Sequence, residues 1–232
     1  MDKFLAHLVK IQPAPEPWVV AVSALAALVI VGFTTSWHLT RGLVTIAHEG
    51  GHALMALLTR RKLEGIRLHS DTSGVTLTRG RPTGPGMVLT ALAGYLAPSL
   101  LGLGGAWLTA QGRITLLVWL VLIFLVCMLL LIRNLYGALI LLATGGAVFA
   151  LSMYAPLDVQ QVVAYVAVWF LLLGGVRPII ELQRKRRRRQ ARDSDADQLA
   201  RLTFLPGGFY VLFFLLVAGA SLAGGAYLMS PF

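Results

Sequence analysis

The chain reads as an all-α polytopic membrane protein of about seven transmembrane helices, N-terminus inside and C-terminus outside, with a short β-hairpin between helices 2 and 3. Three observations predict this. Hydrophobic residues make up 57% of the 232 residues and charged ones only 13%, at a mean hydropathy of +0.75; a soluble domain of this size needs less apolar surface. The apolar residues fall in runs that approach the roughly 20 helical residues a hydrocarbon core requires. The positive charges, net +10, gather in the segments that one threading leaves on a single side.

Taken in order, residues 1–17 form an N-terminal interfacial segment in which "FLAHLVKI" fits a short surface helix. Pro13, Pro15 and Pro17 then precede the first long run, so a cleaved leader is not expected and the first helix is read as an anchor. Residues 18–232 are one membrane-embedded domain. Its apolar runs are Trp18 to Phe33, Met87 to Ala110, Ile114 to Ile132, Leu139 to Tyr154, Val162 to Val176 and Phe204 to Met229, joined by the less apolar His38 to Leu58. "GIRLHSDTSGVTLT", Gly65 to Thr78, alternates apolar residues around a polar turn and reads as the hairpin. Residues 178–203 read as a cytoplasmic loop, first basic and then acidic.

Seven crossings starting inside put Arg60, Arg61, Lys62, Arg67, Arg79, Arg81, Arg133, Arg177 and "RKRRRR" (Arg184 to Arg189) on the cytoplasmic side. Arg41 and Arg113 fall outside. The arginine run is expected to touch anionic lipid; without interleaved aromatics it does not suggest nucleic acid. The lone cysteine, Cys127, lies in an apolar run and pairs with nothing in the chain.

Within the His38 to Leu58 run stands "HEGGH", with His48, Glu49 and His52. Four residues apart on a helix, the two imidazoles share a face and suit one zinc ion, while Glu49 suits a general base for the water such an ion activates. Glu49 is also the one carboxylate inside an expected membrane helix, where an uncompensated charge costs about 2.5 kcal/mol or more. The alternative is interhelical hydrogen bonding.

A catalytic zinc site wants a third protein ligand. Of the candidates Asp158, Asp193, Asp195 and Asp197, the threading puts Asp158 on the far side. In "SDADQLARL" Ser194 fits an N-cap with Asp197 at N3, and Asp197 has Arg201 four residues on. Asp195 shares the face of Leu199 and Leu202 and is the expected ligand, with Asp197 as the second choice. Asp195 equally fits an acid that only favours the helix dipole.

At "HEGGH", "TSGVTLTRG", "ALAGYLAPSLLG" and "LIRNLYGALILL" the chain resembles the site-2 protease class of intramembrane zinc metalloproteases, and more narrowly the bacterial M50B-like peptidases. The third stretch differs from the family's Ala-Gly-Pro-type helix in carrying Tyr95 where a proline is common. The Leu-Asp-Gly motif that bears the third ligand in well-described members is missing. The resemblance implies cleavage of a membrane-spanning substrate, single-pass and possibly like an anti-sigma factor, in or near the bilayer of the plasma membrane, with the active site toward the cytoplasm. It implies a role for Asn134 in placing substrate or an oxyanion, unless that amide only bonds between helices. An unwound substrate segment is expected to pair with the hairpin edge, at Gly65, Val75 and Thr76. Two other classes fit less well: a non-catalytic relative that keeps the fold, and a metal or proton transporter, which would show internal repeats and more intramembrane acids.

Overall fold

The computed structural model describes residues 11–190 and 193–230. The expected surface helix in "FLAHLVKI" lies mostly outside the described residues. The helices are α1 (Pro17–Gly32), α2 (Thr34–Leu58), α3 (Pro85–Ala110), α4 (Ile114–Leu131), α5 (Leu135–Tyr154), α6 (Leu157–Arg187), α7 (Asp195–Leu202) and α8 (Gly207–Leu228); strands β1 (Lys62–Leu68) and β2 (Gly74–Arg79) lie between α2 and α3.

The expectation of seven crossings is only partly met. Among the described residues, α3, α4, α5, α6 and α8 are each long and apolar enough to span a membrane, and α1 with α2 makes a sixth if the bent pair counts as one span. Those two helices meet at a 100° bend. The chain breaks at Phe33, which is extended (φ −79°, ψ 137°), and the freed carbonyls find new donors. Ser36 Oγ donates to Ile30 O at 2.9 Å, and the Arg177 guanidinium donates to Val31 O and Gly32 O. Trp37 fills the corner, almost fully buried. Its Nε1 donates to Glu181 at 2.9 Å, and the Arg177 guanidinium lies 5.0 Å from its ring.

This corner does not separate Arg41 from Arg177 as the threading expected. Arg41 lies 3.7 Å from Glu181, the carboxylate that also pairs with Arg177 at 3.1 Å. Two arginines assigned to opposite sides therefore share one acid. Glu181 also joins Glu49 as a carboxylate within a long helix, because α6 runs on through Pro178 to Arg187 where a loop from 178 was expected. Proline is tolerated there, as in other membrane helices, because neighbours can serve the freed backbone.

From the corner α2 packs in turn against α6, α4 and α3. Val44 meets Gly174 of α6, Gly50 meets Phe124 of α4, and Gly51 meets Ala93 and Ala97 of α3. Side chains at these glycines would hold the helices apart. One end of the bundle gathers the hairpin, the start of α3, the end of α4, the start of α5 and all of α7. At the other end Gln12 N donates to Gly112 O at 2.8 Å and Gln161 Nε2 to Pro13 O at 2.9 Å. Met229, just past α8, packs in the same core cluster as Val20, Ile114 and Tyr165. Both ends of the described chain thus meet at the end opposite the hairpin.

The hairpin is antiparallel and pairs Ile66 with Thr76 and Leu68 with Gly74. Asp71 Oδ1 accepts from Ser73 N at 2.9 Å in its turn. The outer edge of β1 is occupied. Ile66 bridges to Ile132, Arg133 N donates to Ile66 O at 2.8 Å, and Asn134 holds Leu68 through Nδ2 to O at 2.6 Å and Leu68 N to Oδ1 at 3.1 Å. No partner strand lies on the outer edge of β2 among the described residues.

Candidate metal centre

The middle of α2 is buried on most of its circumference, Ile46, Ala47, Glu49, Gly50, Gly51, His52 and Ala53 included. One turn apart, His48 and His52 face α3 together, their rings edge to face with centroids 4.7 Å apart. Room for them comes from Gly94. A Cβ there would collide with His52 Nε2 and lie 2.8 Å from His48 Cε1. Thr90, one turn before Gly94, holds the second ring: His52 Nδ1 is 2.7 Å from Thr90 O. A carbonyl only accepts, so Nδ1 carries the proton and Nε2 presents its lone pair. His48 is backed by Tyr95, edge-on at 4.9 Å, which stacks on Phe214 of α8 at 5.1 Å.

The third group arrives from α7. Ser194 caps this helix by accepting from Asp197 N. Ala196 and Leu199 are fully buried in a cluster with Ile179, Leu182, Tyr210 and Phe214. That docking turns the first residue of the helix inward. Asp195 Oδ2 lies 3.3 Å from His48 Nε2 and 3.3 Å from His52 Nε2, and the two Nε2 atoms are 3.1 Å apart.

The triangle can be tested against a metal. Ligand atoms about 2.0–2.1 Å from a tetrahedral zinc stand roughly 3.3–3.4 Å from one another, and the three edges here are 3.1 to 3.3 Å. Two imidazoles and a carboxylate also suit zinc's borderline softness. Among the described residues, His48, His52 and Asp195 are the one group of three such side chains close enough to hold an ion.

The other candidates lie elsewhere. Asp197 takes Arg186 and the Ser194 hydroxyl, and Asp193 is on the surface, 3.4 Å from Arg201. Asp158 is in the first turn of α6, at the far end of the bundle. Glu49 is only 3% exposed and accepts from Thr76 Oγ1 at 2.6 Å through Oε2. Asn134 spends both ends of its amide on the Leu68 backbone. Gly65 sits on the covered strand, where a Cβ would strike the Arg133 side chain, whereas Val75 and Thr76 belong to the strand with the open edge.

Sequence reasoning missed Thr90 and Gly94. Their spacing of four places them on one face of α3, which was the available signal, but nothing local said that this face meets the histidines.

Comparison with curated proteins and with solved structures gives no match. A family model described as Peptidase M50B-like matches residues 21–225. That stretch runs from the first helix into the last and takes in the hairpin and all three donor residues. The chain belongs to the Peptidase M50B-like family, and its class is that of a multi-pass membrane metallopeptidase of the site-2 protease type.

Proposed function

We propose that the protein is an intramembrane zinc metalloprotease that hydrolyses peptide bonds of membrane-spanning substrates. The observation that carries this is the near-equilateral triangle of His48 Nε2, His52 Nε2 and Asp195 Oδ2 beside the buried carboxylate of Glu49. The three donors would hold a zinc ion, which when bound supplies Lewis acidity and brings the pKa of a coordinated water toward neutrality. Thr90 fixes the tautomer that His52 needs. Glu49 takes the proton of the attacking water and delivers it to the amide nitrogen as the C–N bond breaks.

A helical substrate hides its carbonyls, so a segment must unwind before attack. The open edge of β2 would take that segment as an added strand and return the backbone hydrogen bonds lost on unwinding. Val75 and Thr76 are on that strand; Gly65, on the covered one, is not a contact in this reading. Asn134 acts by holding β1 in place. The substrate class is a single-pass membrane protein, such as a membrane-tethered anti-sigma factor.

The end of the bundle that bears the hairpin also bears Arg60, Arg61, Arg133 and Arg184 to Arg189, which supports a cytoplasmic placement of that end in the plasma membrane and contact of the arginine run with anionic lipid. The site then opens toward the cytoplasm, and both ends of the described chain lie outside.

Glu49→Gln tests the assignment of the base. Zinc content and thermal stability should match those of the wild-type protein while cleavage falls by at least about 100-fold. Cleavage retained at the wild-type rate would remove Glu49 from the chemistry.

A further inference from the structure

We infer that Thr76 is a positioning residue for the Glu49 carboxylate and that Gly74 lacks a side chain because the carboxylate occupies that space, so that strand β2 sets the orientation of the base. This rests on the proteolytic reading of the site.

Two contacts and one anchor carry it. Thr76 Oγ1 donates to Glu49 Oε2 at 2.6 Å and lies 3.2 Å from the Glu49 carbonyl. A short O–H···O⁻ bond of this kind is of the strong, charge-assisted type. It restrains a side chain with three rotatable bonds. Gly74, two residues earlier on β2, projects to the same face. A Cβ built there would lie 2.6 Å from Glu49 Cγ and Oε1 and 2.8 Å from Cδ. The carboxylate is the flexible partner in that collision, so it is what would move. Finally, Thr45 Oγ1 donates to Thr72 O at 2.7 Å. Thr45 is one turn before Glu49 on α2, so the hairpin is fastened to that helix on both sides of Gly74, at Thr72 in the turn and at Thr76 in β2.

Both restraints come from the strand whose outer edge is open. A peptide paired along that edge would press on the element that holds the base. The register of the substrate and the orientation of the base are thereby linked.

The test uses the full-length protein in detergent with a fluorogenic single-pass peptide, comparing Thr76→Val, Thr76→Ser and Gly74→Ala. Thr76→Val should lower kcat roughly 10- to 100-fold and leave KM within about twofold, at unchanged zinc content. Thr76→Ser should restore most of the rate, and Gly74→Ala should behave like Thr76→Val. A second readout needs no turnover. Thr76→Val should lower the thermal unfolding midpoint in the wild-type background but not in a Glu49→Ala background.

A raised KM with normal kcat would overturn the inference, since Thr76 would then touch substrate instead of the base. So would a serine variant as slow as the valine one, or equal midpoint shifts in both backgrounds. Because Gly74→Ala can fail to fold, the two Thr76 variants decide alone. Wild-type protein that cleaves no membrane peptide overturns the proteolytic reading and base positioning with it, whereas normal kcat in Thr76→Val sinks the positioning role only.

Discussion

Asp195 Oδ2 lies 3.3 Å from His52 Nε2, although one residue opens an eight-residue amphipathic helix and the other lies in the second half of a separate 25-residue helix. The link between them is apolar. Leu199 and Ala196 seat α7 against α6 and α8, and Asp195, the first residue of α7, then faces the imidazoles. The family's usual third-ligand motif is missing from this chain. A short helix before the last span puts a carboxylate in reach of both histidines.

Gly94→Ala should disarm the site without removing a ligand. The added methyl needs space that the His52 ring holds, and losses from disturbed ligand orientation run at about 10- to 100-fold in metal affinity. Competition with a zinc-binding dye would measure the affinity. Wild-type affinity in Gly94→Ala would mean the rings are not held as described.

Asn134→Ala should loosen the hairpin. Two hydrogen bonds to the Leu68 backbone vanish, which costs roughly 1–3 kcal/mol for partly buried groups. Hydrogen exchange should quicken at Leu68 to Ser73 while zinc content holds. A fall in kcat with unchanged exchange would instead give Asn134 a direct part in the reaction.

If α1 and α2 together form one span, the residues near Gln12 and Ser230 lie on the same side, opposite Arg184 to Arg189. Single cysteines introduced at Glu16, Gln183 and Ser230, in a Cys127→Ser background, should react with a membrane-impermeant maleimide in intact cells at the first and last positions only. Opposite labelling of Glu16 and Ser230 would restore an odd number of crossings.

Much of this was legible in the sequence, for identifiable reasons. Long apolar runs announce membrane helices, and "HEGGH" announces a shared face, because both depend on local spacing. The alternation in Gly65 to Thr78 gave the hairpin for the same reason. Asp195 could be preferred to Asp197 because the Ser194 cap and the leucine spacing fix how α7 turns. The bend at Phe33 could not be read. It depends on Arg177, far along the chain, serving the carbonyls of Val31 and Gly32. The role of Asn134 depends on a backbone edge supplied by β1, and the space for the histidines depends on Gly94 in another helix. Such long-range pairings leave no periodic trace.

The most direct measurement is elemental analysis of chelator-free, purified protein, with Asp195→Ala and Asp197→Ala beside the wild type. The expected result is about one zinc per chain in the wild type and in Asp197→Ala, and a clear loss in Asp195→Ala, because a three-donor site becomes a two-donor one. Wild-type protein that takes up no zinc even when supplied with it, or an Asp195→Ala variant that holds zinc as tightly as the wild type, would contradict the metal centre described here.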